Sequence, residues 1–120
     1  MADTLPTRWW TTGAVPLPGA ATFFAVAVLV HNTDHLRRGG DSVSSDVFWL
    51  GSTAILLEVA VVALVFMRHP MAPLTATVTG FPLALGYLAV HFTPDRSWFS
   101  DSFVAGGAEG VSLFAASLEA

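Results

Sequence analysis

Val47–Met67 reads VFWLGSTAILLEVAVVALVFM, an apolar stretch interrupted by a single charge, Glu58. A helix needs about 20 apolar residues, within a range of roughly 17 to 25, to cross the hydrocarbon core of a bilayer. This segment meets that requirement, and three others flank it. Ala14–His35 carries no charge from Ala14 to Val30. Met71–Phe92 carries no formal charge, and its Gly80, Pro82 and Gly86 predict a kink near Pro82. Ser102–Leu118 is shorter, rich in glycine and interrupted by Glu109. The reading is an all-α, integral membrane bundle of four transmembrane helices in up-down topology, forming a single domain over residues 1–120.

The residues between these stretches punctuate them. Arg37, Arg38, Gly39 and Gly40 close the first helix, and Ser44, Ser45 and Asp46 offer caps to the second. Arg68, His69, Pro70 and Pro73 predict a tight turn into the third, and Thr93–Pro94 predicts its end. Trp9, Trp10, Trp49 and Trp98 fall at the expected headgroup level. The N-terminal segment lacks a convincing cleavage site before the polar His31–Arg38 run, so it is read as retained rather than as a secretory signal. Arg37, Arg38 and Arg96 on one side against Arg8 and Arg68 on the other favour the first group as cytoplasmic, in a multi-pass protein of the cell membrane.

Composition agrees. The chain is 53% hydrophobic and 12% charged, with a mean hydropathy of +0.62, outside the usual range for proteins dissolved in water. Nine acidic residues stand against five basic ones, all arginine. No basic face is available for a nucleic-acid backbone, and nucleic acid is set aside as a partner. With no cysteine present, disulfides and thiolate metal sites are excluded, and the four histidines are the softest ligands.

Ionisable groups inside a bilayer cost roughly 2.5 to 3.5 kcal/mol at mid-helix on insertion scales, so each calls for a reason. The densest run is His31-Asn32-Thr33-Asp34-His35-Leu36-Arg37-Arg38. Positions i, i+3 and i+4 share a helical face, so His31, Asp34 and His35 project together. Two imidazoles at that spacing can chelate one metal ion, with Asp34 as third ligand or as the partner that fixes a tautomer. The competing reading pairs Asp34 with Arg37 and Arg38, three and four residues on. Up-down threading brings the end of the third helix, with His91, to the same membrane face. At about 1.5 Å per residue, His31 lies roughly 9 Å inside Arg37, His91 roughly 7.5 Å inside Arg96, and Glu109 roughly 12 Å inside Asp101. The candidate metal ligands are therefore His31, Asp34, His35, His91 and Glu109, holding a transition metal ion (Zn, Fe or Cu) or haem. Asp95 is expected to face Arg37 or Arg38.

Glu58 lies roughly 18 Å beyond Asp46, near mid-bilayer. It reads either as a proton- or ion-coupling residue or as a carboxyl hydrogen-bonded to Thr75, Thr77 or Thr79 on the neighbouring helix. Gly106 and Gly110 form a GxxxG spacing that predicts close packing of the fourth segment within the bundle or against a second copy, and Tyr87 reads as a packing or lipid contact.

In size and span number the chain is similar to the small multidrug-resistance transporters. That family's glutamate lies in its first helix, whereas Glu58 belongs to the second, so no functional residue carries over. A carboxylate or histidine on each helix also resembles the diiron carboxylate bundles, but the Glu-x-x-His pairs are absent. Three functions fit: a metal- or haem-binding membrane protein, a proton-coupled small transporter working through Glu58, or an accessory subunit of a larger membrane complex. The second implies a homo-oligomer. An enzyme would use the histidines and aspartates as acid and base, but no nucleophile motif accompanies them.

Overall fold

A computed structural model describes residues 16–39, 42–94, 100–103 and 110–119. Among them are four α-helices and no strand: α1 (Leu17–Arg38), α2 (Ser45–Phe66), α3 (Ala72–His91) and α4 (Gly110–Glu119). Local chemistry sets each boundary. Pro18 sits in the first turn of α1, where a missing N–H costs nothing. Gly39, at φ 93°, ends the helix in a backbone region that residues with a Cβ rarely adopt. The Ser44 hydroxyl caps α2 by accepting the Val47 N–H. α2 closes in a tight turn in which Arg68 takes φ 55° and the N–H of His69 donates to the Leu64 carbonyl. α3 runs continuously through Pro82.

Two helices, α2 and α3, are long and apolar enough to cross a membrane. Only 11% and 6% of their most apolar stretches are buried within the protein. Two expected spans differ from this. α1 has the length, but it extends three residues beyond His35 to Arg38, and its final turns are polar. Among the described residues α4 covers ten, about 15 Å of rise, half the thickness of a hydrocarbon core; residues 104–109 of the expected fourth span lie outside the described residues. Ser102 and Phe103, expected at the start of the fourth span, are not helical. Gly106 lies outside the described residues, and a Cβ placed on Gly110 would meet nothing within 4 Å. Among the described residues, the close approach expected of the GxxxG spacing is therefore not made at Gly110.

The helices are tied at both ends. At one, Ala21 of α1, Val65 of α2 and Ala72 of α3 form a small apolar knot, flanked by Leu17 and Leu64. At the other, α4 lays Ser112, Ala115 and Ala116, all nearly fully buried, along its packed face, with α1 as its main neighbour. These are small residues at i, i+3 and i+4, so the two backbones approach closely. α2 packs against both α1 and α3, whereas the backbones of α1 and α3 come close in few places.

Candidate metal centre

The last two turns of α1 and the last turn of α3 meet at the α4 end of the bundle. His31 and His91 are buried there and His35 is half-buried. Their ring centroids stand 4.4 Å (His31–His35), 5.1 Å (His31–His91) and 6.0 Å (His35–His91) apart. One ligating nitrogen from each ring falls within 4.8 Å of the others. The fourth histidine, His69, lies in the α2–α3 turn and is not part of this group.

Hydrogen-bond directions fix how the rings are used. A guanidinium can only donate, so His35 Nδ1, 2.8 Å from Arg38 Nη2, accepts. Neutral His35 then carries its proton on Nε2 and donates it to His31 Nε2 at 2.9 Å. His31 in turn is protonated at Nδ1, which donates to the Tyr87 hydroxyl at 3.1 Å. Tyr87 passes the chain on, its O–H donating to the Ala116 carbonyl at 3.2 Å. His91 Nδ1–H donates to the Asp101 carbonyl at 3.1 Å and leaves Nε2 free. His31 and His91 thus donate from Nδ1 and keep Nε2 as an acceptor, the arrangement that holds metal-ligating imidazoles in place, whereas His35 is held at Nδ1 as an acceptor from Arg38.

A returning segment completes the enclosure. The N–H groups of Asp101 and Phe103 donate to the Val90 and His91 carbonyls, satisfying acceptors that a helix end leaves open. That pairing seats the Phe103 ring 4.8 Å from His91 and nearly parallel to it, with the Arg38 guanidinium 4.7 Å from the Phe103 centroid.

Asp34 faces elsewhere. Its oxygens meet Arg37 Nε at 3.0 Å and Arg38 Nε at 3.2 Å, and Arg37 continues to the Ser112 hydroxyl of α4. The histidine group does not include it. The ion-pair alternative describes its surroundings, and its physical reason is the proximity of two guanidiniums one turn on. Glu109 and Asp95 lie outside the described residues. Beside Arg38 stands Asp101, whose Oδ2 is 3.6 Å from Arg38 Nη2 and 3.6 Å from His91 Nδ1.

Glu58 is buried on α2, and its Oε2 has no hydrogen-bond partner among the described residues. The Thr75 and Thr77 hydroxyls, expected as its partners, donate to carbonyls of their own helix.

Sequence reasoning missed Tyr87, Asp101 and Phe103. Tyr87 precedes His91 by four residues, and that spacing puts the phenol on the imidazole's face. For Asp101 and Phe103 no comparable signal exists, because a non-helical return places them. No protein-family model, curated protein or solved structure matches this chain.

Proposed function

We propose that the chain is a multi-pass protein of the cell membrane that binds one transition metal ion through His31, His35 and His91. The observation that carries the reading is the convergence of three imidazoles, drawn from two helices and each oriented by its own partner. Tetrahedral nitrogen ligands about 2.0 to 2.1 Å from zinc stand about 3.3 Å from one another. The pair at 2.9 Å must open slightly, and the widest separation, at most 4.8 Å, must close by about 1.5 Å. Imidazole suits zinc, copper, iron and nickel alike. Three protein ligands leave a fourth position for water or another molecule.

Binding requires the proton on His35 Nε2 to leave that nitrogen. Arg38 already meets Asp34 and Asp101, so it has two carboxylates to turn to as His35 Nδ1 takes up the proton.

Membrane insertion is supported by the surface of α2 and α3. Leu56, Val59, Val78, Phe81 and Leu85 are each more than half exposed; such a surface calls for lipid rather than water. In this reading α1 crosses with α2 and α3, the segment that ends in α4 completes a four-span bundle, and the metal lies near one membrane face.

Elemental analysis with an absorption spectrum on protein purified in mild detergent tests the assignment. One metal per chain is expected, or an apoprotein whose melting temperature rises on adding zinc. Absence of metal, no Soret band and no response to zinc or iron would remove the site.

A further inference from the structure

His31, His35 and His91 open onto a cavity of about 630 Å³, bounded by α1, α2 and α3 and reaching Glu58. Its volume lies within the range of about 300 to 1,000 Å³ found for small-molecule sites. Val47, Gly51, Ala54, Ile55 and Glu58 line it from α2. They follow helical spacing over about 16 Å of rise. Small residues hollow it out: a Cβ on Gly51 of α2 or Gly86 of α3 would meet nothing within 4 Å.

The walls are mostly apolar, yet Glu58 stands in them only 8% exposed, its Oε2 without a hydrogen-bond partner among the described residues. A buried acceptor left unpaired is expensive, and a carboxylate more so. An alkyl chain would cover the walls and leave that oxygen unsatisfied. An anion would be repelled. A cation bearing N–H groups on an apolar body answers both features at once.

We propose that this cavity is a binding site for a lipophilic amine, its ammonium donating to the Glu58 carboxylate and its hydrocarbon body lying between α2 and α3. His31, His35 and His91 also line this cavity, and the amine site is told apart from the metal centre by its dependence on the Glu58 carboxylate rather than on imidazole nitrogens.

The test uses the full chain in mild detergent with dansylcadaverine, a fluorescent primary amine, and its N-acetylated analogue, which keeps the body and removes the charge. Saturable binding of the amine is expected, at least tenfold tighter than that of the acetylated analogue. Glu58→Gln should abolish the difference, and Gly86→Phe, which fills the cavity, should abolish amine binding. Equal affinity of the wild-type chain for the two probes overturns the proposal whatever the variants do. So does a co-purified phospholipid, or a second copy of the chain, that occupies the cavity and that the amine does not displace.

Discussion

At the scale of single residues, the centre depends on which nitrogen each partner holds. Arg38 can only donate, and that one restriction propagates through His35 and His31 to Tyr87 and the Ala116 carbonyl. Tyr87 is the member whose removal changes least else, since its hydroxyl is the feature engaged. Partners that orient metal-binding imidazoles are typically worth 10- to 100-fold in metal affinity. Tyr87→Phe should therefore weaken zinc binding about tenfold while the helical circular dichroism stays unchanged; an unaltered zinc titration would show that the phenol does not orient His31. The histidines were legible because i, i+4 spacing and alternating threading both point to one layer. Asp34 was legible only as an alternative, its near neighbours Arg37 and Arg38 competing with any ion for its oxygens.

At the scale of elements, the site stands where two helix ends and a returning strand of chain are pinned together. The third helix and its end were readable from Pro94 and the apolar run of 71–92. The return of Asp101 and Phe103 was not, because it depends on pairing with the last carbonyls of α3 rather than on any periodicity. Of the fourth segment, the described residues hold a non-helical Ser102 and Phe103 and the ten-residue α4. What α4 does contribute is a close seam, with Ala116 fully buried and its carbonyl accepting from Tyr87. Overpacking such a contact typically costs about 1–3 kcal/mol. Ala116→Leu should lower the melting temperature and, by pushing α4 away from Tyr87, weaken zinc binding as well. A melting temperature equal to that of the wild type would mean that the seam is not tightly packed.

At the scale of the whole molecule, the apolar knot of Ala21, Val65 and Ala72 gathers three helices at one end, while the cavity separates them toward the other. The backbones of α1 and α3 come close in few places, and the two helices meet through the side chains of His31, His35, Tyr87 and His91. A metal held by His31 and His35 on one and His91 on the other would bridge them, stabilising the folded chain by about 2.7 kcal/mol at a free metal concentration one hundred times the dissociation constant. The sequence made the oily, helical character plain, because a run such as 47–67 has few other readings. It left the cavity invisible, since hollows arise from how Gly51 and Gly86 face one another's helices rather than from either residue alone. Titration with cobalt(II), followed by its visible absorption, interrogates the three-imidazole centre directly. One equivalent per chain should bind with the bands of nitrogen-ligated cobalt, lost in His31→Ala and in His91→Ala and kept in His69→Ala. Binding that survives His91→Ala, or disappears with His69→Ala, would contradict a metal centre shared between α1 and α3.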